Sequence, residues 1–497
     1  MKPARRAAAE TLAIAALAAL QTLAFVQTAW WILPLGAAAV LAWRVGRATP
    51  ARAAWLGWVF GTAWLGTGVW WLFISMHRYG GLPGPLAAIA VFALAAALSL
   101  YLAAAMAVYA RWRRGRPLAD PLLFAALWLL AELARGVIFT GFPWVASGYA
   151  QVDGPLAALA PWVGVYGIGA AVALLAALAA GGRRAAVVSA ATLVALAWLP
   201  PATFSRPGAT LDVVLLQTGV AQDQKFAAER MPQALAWVSQ ALTTARADLV
   251  VAPETAVPLL PHQLEDFAPG YWAALELHFA EGERAALVGV PLGDFDRGYT
   301  NSVVGLSAAP PYRYDKHHLV PFGEFIPTGF RWFTELMNIP LGDFDRGVPA
   351  APSFPVRGER VAPNICYEDL FGEELARRFA GPSGAPTVFA NLSNIAWFGD
   401  TIAIAQHLNI SRLRSLEFER PMLRATNTGA TAVIDHRGAV THSLPSQRRG
   451  VLAATVQARD GLTPFAAWAS RFGLWPPLLL ALAVVAGVAS LSRRSAA

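Results

Sequence analysis

Long apolar runs recur along the first 200 positions of this chain, and every second gap between them carries a cluster of arginines. The runs lie near 8–26, 28–43, 53–75, 84–110, 118–138, 158–180 and 185–200, with one more near 472–491. A helix needs about 20 apolar residues to cross a bilayer, so the pattern is that of a multi-span bundle, the first two runs being short for the purpose. Lys2, Arg5 and Arg6 precede the first run; Arg44, Arg47 and Arg52 separate the second from the third. Arg111, Arg113, Arg114 and Arg116 follow the fourth, Arg183 and Arg184 the sixth, and Arg493 and Arg494 the last. Positive residues flanking spans mark the cytoplasmic side. Eight spans put every cluster on that side, whereas merging the first two would split the clusters between sides. Residues 201–470, between spans seven and eight, then lie outside the cytoplasm. The start, Met1 to Arg6, resembles a signal peptide, but apolar segments continue with no convincing cleavage site.

Composition agrees. Only 14% of residues are charged, against about 25% in soluble chains. The net charge of +8 could suggest nucleic acid, but the arginines sit in short clusters beside apolar runs, which is the membrane pattern. A single cysteine, Cys366, rules out an internal disulfide framework.

Residues 211–458 read differently. Short strand-like runs appear at Leu211–Gln217, Asp248–Ala252, Ala285–Val290, Asn301–Leu306, Arg360–Cys366, Thr387–Leu392, Ala430–Ile434 and Gly450–Thr455, with helix-like sequence at Ala227–Ala245 and Ile402–Phe418. Alternating strands and helices predict an α/β layered domain. The expected organisation is a bundle over 1–200, an outer domain over 201–470, and a last span with a tail over 471–497.

Within that domain the apolar run Val361–Ile365 ends abruptly at Cys366, and acidic, helix-like sequence comes next. This reads as strand, sharp turn, helix. A thiol there stands near the positive pole of the helix, a field that favours thiolate. A lone free cysteine is more commonly a small buried hydrophobe, and a nucleophile needs a base elsewhere in the chain. Two stretches supply partners: Glu254 after Val250-Val251-Ala252-Pro253, and Lys316 after Tyr314-Asp315. Glu254 can take the thiol proton, Lys316 can stabilise an oxyanion, and the N–H of Tyr367 is the natural second donor. Glu324, eight positions past Lys316, can hold Lys316 or Glu254 in place.

Other features carry less. Glu132 and Arg135 form an i, i+3 pair within span five; intramembrane charges face the bundle interior or a cavity, and a structural ion pair is the preferred reading. The octapeptide Pro-Leu-Gly-Asp-Phe-Asp-Arg-Gly occurs at 291–298 and 340–347 with unlike flanks, and both copies read as turns. Phe325, Ile326, Phe330, Trp332, Phe333, Leu336, Met337 and Ile339 form an aromatic-rich stretch that suits either core packing or an arm on the bilayer. His317 and His318 are adjacent, which is poor spacing for a shared metal, and His407 is isolated.

Glu254, Lys316 and Cys366, each at a strand end, resemble the Glu–Lys–Cys triad of the nitrilase superfamily. The chain as a whole resembles its integral-membrane branch, the apolipoprotein N-acyltransferases. The likeness covers Glu132 to Trp144, Pro253-Glu254-Thr255, Lys316 to Pro327, Asn364 to Glu368, Asn394 to Asp400 and Arg420 to Gly429. It departs at Ile395, where the family usually has Asp, and at Phe226, where some members have Trp. The resemblance implies an αββα sandwich on the periplasmic face of an eight-helix bundle in a bacterial inner membrane. It implies a Cys366 thioester, a phospholipid acyl donor, and an acceptor apolipoprotein with a diacylglyceryl-cysteine N-terminus. It further implies that Tyr367, Glu368 and Trp397 line the site. The expected enzyme is a monomer in the lipid bilayer that uses no cofactor, no metal and no nucleic acid. Two alternatives stand beside it: a membrane-tethered amidase or nitrilase-type hydrolase, and a transporter whose outer domain only binds. The triad counts against the transporter, and the eight-span bundle against the hydrolase.

Overall fold

In the computed structural model, which describes residues 3–198, 200–327, 329, 343–381 and 384–494, the chain divides into two compact units. One comprises Met1–Phe73, Pro83–Ala202 and Phe472–Ala497; the other comprises Ile74–Leu82 and Thr203–Arg471.

The first unit is helical. Among the described residues five helices are long and apolar enough to cross a bilayer: Arg5–Val26, Thr28–Val45, Gly84–Trp112, Ala119–Thr140 and Pro155–Ala180. Two bent pairs, Pro50–Gly68 with Leu72–Tyr79 and Pro464–Phe472 with Trp475–Ser490, raise the number to seven if each is one span. The expected span near 185–200 corresponds to the helix Arg183–Trp198, which has 16 residues. At about 1.5 Å per residue it extends about 24 Å, short of the roughly 30 Å hydrocarbon core. Glu132 and Arg135 are both buried. Glu132 accepts the N–H of Ser147 at 2.8 Å and its hydroxyl at 3.1 Å. Arg135 donates to the carbonyls of Phe142 at 3.0 Å and Trp144 at 2.7 Å. The pair, 3.7 Å apart, therefore fastens the loop after its own helix, as a structural ion pair does.

The second unit is built on twelve strands: β1 (Ser205–Gln217), β2 (Leu249–Val251), β3 (Ala285–Asp294), β4 (Gly298–Leu306), β5 (Tyr312–Asp315), β6 (Phe354–Val356), β7 (Glu359–Ile365), β8 (Val388–Ser393), β9 (Met422–Thr426), β10 (Ala432–Ile434), β11 (Val440–Ser443) and β12 (Gly450–Gly461). They form two six-stranded sheets, in the orders β12-β1-β2-β3-β4-β5 and β11-β10-β9-β8-β7-β6. At the centre of each sheet the strands are parallel: β1, β2 and β3 in one, β7, β8 and β9 in the other.

The strand sequences explain the layering. Successive side chains point to opposite faces. In β1 and β2 the alternation is explicit: Leu211, Val213, Leu215, Leu249 and Val251 enter one core, which they share with Val361, Ile365, Val388 and Leu423 of the other sheet. Val214, Leu216 and Val250 face the opposite way, onto Leu235, Val238 and Leu242 of the helix Met231–Thr244 and onto Phe279. Ala362, Phe389 and Met422 pack with Phe418, Phe465 and Ala469 on the outer side of the second sheet. Helices thus cover the outer face of each sheet, and the sheets bury their inner faces on each other. Strands buried on both sides read as near-continuous apolar runs, and each fully buried Val or Leu contributes roughly 1.5–3 kcal/mol.

The two octapeptide copies differ in conformation. The first forms the β3–β4 hairpin, where Asp294 accepts the N–H groups of Asp296 and Arg297 at 3.0 and 2.7 Å. The described part of the second, 343–347, is not a turn. It runs extended along the Lys316 loop: Phe344 N–H donates to the Glu324 carbonyl at 2.8 Å and Gly347 N–H to the Lys316 carbonyl at 2.9 Å. A Cβ at Gly347 would lie 2.0 Å from the Asp315 carbonyl oxygen, so glycine is required there. Positions 340–342, and Phe330, Trp332, Phe333, Leu336, Met337 and Ile339 of the aromatic stretch, lie outside the described residues.

Candidate active site

Glu254, Lys316 and Cys366 each come after a strand: β2, β5 and β7 respectively. The carboxyl ends of parallel strands such as β2 and β7 are where layered α/β folds place their chemistry; β5 pairs antiparallel with β4, which pairs antiparallel with β3, so it runs in the same direction as β2 and ends on the same edge. All three side chains come together here. Lys316 is buried, with its Nζ 2.8 Å from Glu324 Oε1 and 3.5 Å from Glu254 Oε1. Asn301 Nδ2 bridges the two carboxylates, donating to Glu254 at 2.7 Å and to Glu324 at 2.8 Å. The other oxygen of Glu324 accepts the N–H of Val320 at 2.8 Å. Glu324 therefore holds Lys316, the first of the two roles open to it from sequence, and shares Asn301 with Glu254.

The Glu254 turn is tightly specified. Its second oxygen accepts the N–H of Asn394 at 2.7 Å. Lys225 donates from Nζ to the Glu254 carbonyl at 3.0 Å and to the Thr255 hydroxyl, across a turn in which Thr255 has φ 46°. A Cβ on Gly289 would lie 2.3 Å from the Pro253 carbonyl oxygen, so β3 approaches this turn only because that position is glycine.

Charge at the site is balanced between two carboxylates, Glu254 and Glu324, and two ammonium groups. Burial alone would lower Lys316, but the neighbouring Glu324 and Glu254 outweigh it and hold the ammonium firmly protonated. Burial pulls Lys225 down to about 8 against the attraction of Glu254. The thiol moves the other way. Burial and the Glu254 carboxylate push Cys366 up to about 12, with Lys316 opposing. This corrects the expectation that a helix pole would favour thiolate. Cys366 opens only a five-residue 3₁₀ turn, Cys366–Leu370, too short to build a sizeable dipole, and a carboxylate stands opposite. Ser393 also hydrogen-bonds the thiol and opposes the upward shift. Cys366 itself sits at φ 50°, a left-handed conformation that non-glycine residues adopt only where the surroundings enforce it.

Glu368 is buried with four donors on its carboxylate: Ile365 N–H at 2.6 Å, Tyr314 hydroxyl at 2.7 Å, and the N–H groups of His317 at 2.7 Å and His318 at 3.2 Å. It ties the Lys316 loop to the Cys366 turn. Tyr367 is buried, its ring 5.3 Å from Phe371. Trp397 is half-buried, edge-on to Tyr79 at 5.8 Å. Ile395 is fully buried and Phe226 exposed.

Several participants escape sequence reading. Asn394 has a signal, since it comes after β8 as Cys366 comes after β7. Arg424 has one too, as a lone charge inside the apolar strand β9. Lys225, Asn301 and His407 have none.

Two family models match the chain: the apolipoprotein N-acyltransferase N-terminal domain over residues 17–178, and carbon-nitrogen hydrolase over residues 217–461. A relative from Verminephrobacter eiseniae, "Apolipoprotein N-acyltransferase", is 54% identical over 90% of this chain and 89% of its own length. One of the same description from Ralstonia nicotianae is 47% identical over 95% of this chain and 92% of its own. Among solved structures, a CN-hydrolase superfamily protein from Xanthomonas campestris aligns at 18% identity and a TM-score of 0.38, covering 55% of this chain and 97% of that one. With identity of this order to the two relatives across nine-tenths of its length, the chain belongs to the apolipoprotein N-acyltransferase family.

Proposed function

We propose that the chain transfers an acyl group from a membrane phospholipid, through a thioester on Cys366, to the N-terminal α-amine of a diacylglyceryl-cysteine apolipoprotein. The observation that carries this reading is the convergence of Glu254, Lys316 and Cys366 at the ends of three strands, in a chain whose other unit is a set of apolar helices.

Glu254 takes the thiol proton as Sγ attacks the ester carbonyl, and the carbonyl π electrons move onto oxygen. Lys316 Nζ and the N–H of Tyr367 are suited to hold that oxyanion. Collapse breaks the ester C–O bond, and the lysophospholipid oxygen leaves with the proton from Glu254. The neutral α-amine then attacks the thioester, Glu254 takes an amine proton, and the thiol leaves with it. Glu324 and Asn301 keep Lys316 and Glu254 in register through both halves. Tyr367, Glu368 and Trp397 support the site, Glu368 by joining its two loops.

The same reading places residues 1–200 and 471–497 in eight spans of the bacterial inner membrane, with 201–470 as a periplasmic domain of a monomeric enzyme. It rests on the alternation of arginine clusters with apolar runs. Intact mass is the direct test. Phospholipid alone should leave one acyl group on the chain. A diacylglyceryl-cysteine peptide with a free α-amine should discharge it, and the same peptide N-acetylated should not. Rapid release of free fatty acid without peptide would identify a hydrolase instead.

A further inference from the structure

Against the Cys366 carbonyl lies a buried polar cluster that the acyl-transfer steps leave unused: Asp369, Asn391, His407, Ser411 and Arg424. Two of its side chains converge on one atom, the carbonyl oxygen of Cys366. Asn391 Nδ2 donates to it at 3.2 Å, and His407 Nε2 lies 3.2 Å from it. The neighbours assign the tautomer of His407. Arg424 Nη2 approaches His407 Nδ1 at 2.8 Å, and guanidinium has only donors, so Nδ1 accepts. The ring proton therefore sits on Nε2, which points at the Cys366 carbonyl and at Asp369 Oδ1, 3.0 Å away. Burial and the adjacent Arg424 lower the basicity of His407, consistent with a neutral ring that serves as a fixed donor.

Peptide geometry carries this to the reacting atoms. In a trans peptide the C=O and N–H point in opposite directions, and the Cys366–Tyr367 bond is trans. Fixing the Cys366 oxygen onto His407 and Asn391 therefore also fixes the direction of the Tyr367 N–H, on the opposite side of the same peptide plane. Hydrogen bonding at the oxygen also polarises the peptide and strengthens its N–H as a donor. Cys366 holds φ 50°, a conformation that needs such enforcement.

We propose that His407 is a positioning residue for acyl transfer: by holding the Cys366 carbonyl it aims the Tyr367 N–H at the oxyanion. This role rests on the thioester reading of the proposed function.

The test compares His407→Gln with His407→Met in the full-length enzyme in phospholipid nanodiscs. The two side chains are alike in length and flexibility, but only Gln retains an N–H donor. Two rates are measured at Cys366, the only cysteine in the chain. Acylation by phospholipid, followed by intact mass, develops an oxyanion. Alkylation by iodoacetamide is displacement at a saturated carbon and develops none. Loss of one oxyanion donor costs about 10²–10³ in rate. His407→Met leaves that donor present but loosely aimed, so it should acylate between about 10- and 100-fold more slowly than wild type. Its alkylation should stay within about threefold of wild type, and His407→Gln should recover most of the acylation. Equal acylation in the two variants, or a parallel fall in both rates, would overturn the proposal. If wild-type enzyme gives no acyl adduct on Cys366 while iodoacetamide still labels it, the thioester reading itself fails and takes this role of His407 with it.

Discussion

The carboxylate of Glu368 accepts the backbone N–H of His317 at 2.7 Å, so a residue two positions past the thiol fixes the residue next to Lys316. The same carboxylate takes the N–H of Ile365, one position before the thiol. Nucleophile and cation come from different sheets, and this one side chain makes their separation a local matter. Sequence resemblance implies that Glu368 lines the site; its four protein donors give it the role of a brace.

That role makes a graded prediction. Glu368→Gln replaces an acceptor-only group with one whose NH₂ must face donors. Hydrogen bonds to a charged group contribute about 1.5–3 kcal/mol each, so acylation should fall at least about tenfold and thermal stability should drop clearly. Tyr314→Phe removes one donor of the four and should cost about 1.5–3 kcal/mol, with a smaller loss of acylation than Glu368→Gln. Thermal unfolding and acylation measured together check the order; a larger effect from Tyr314→Phe would contradict it.

Cys366→Ala and Cys366→Ser should both fold, insert and fail to form a thioester. Serine would need to lose a far less acidic proton than a thiol already raised to about 12. Intact mass after incubation with phospholipid should show no adduct in Cys366→Ala, and near wild-type turnover in that variant would end the covalent mechanism.

Thiol titration gives a signed test of Glu254. Its carboxylate helps to push Cys366 up, and Lys316 pulls it down. Glu254→Gln removes the repulsion and keeps the attraction, so the thiol should ionise at lower pH than in wild type. The midpoint of iodoacetamide labelling against pH should shift downward, although acyl transfer falls because the base is gone. A midpoint unchanged or higher would mean that Glu254 does not act on the thiol.

Topology can be checked in a cysteine-free background with single cysteines at positions 114 and 240. An impermeant maleimide should reach Arg114→Cys only from the cytoplasmic side and Gln240→Cys only from the outside. Labelling of both from one side would refute the assignment built on the arginine clusters.

By itself the sequence determined the apolar helices and the layered α/β domain, and it singled out Glu254, Lys316 and Cys366 as candidates. Those signals are local: an apolar run registers its own length, and a lone Glu, Lys or Cys directly after a strand-like run marks a strand end. β9 is not legible in this way because Met422–Thr426 contains Arg424, a charge tolerated inside a sheet because the Asp369 carboxylate opposes it and Asn391, His407, Ser411 and the Ala430 carbonyl accept from it. The second octapeptide copy reads as a turn because it is identical to the first; the first closes a hairpin, whereas the described residues of its twin, 343–347, are held along Lys316 and Glu324 by backbone hydrogen bonds to them. Thiol ionisation is misread from sequence for the same reason: a helix pole is visible along the chain, but the opposing Glu254, 112 positions before Cys366 (366 − 254), is a neighbour only in space. Tertiary structure alone decided which donors meet which acceptors. Asn301 between two carboxylates, Lys225 on the Glu254 turn and His407 beneath the Cys366 carbonyl are contacts between distant segments, and no spacing in the chain encodes them. Hydrogen bonds require placement to within a few tenths of an ångström, and that placement comes from the packing of two sheets.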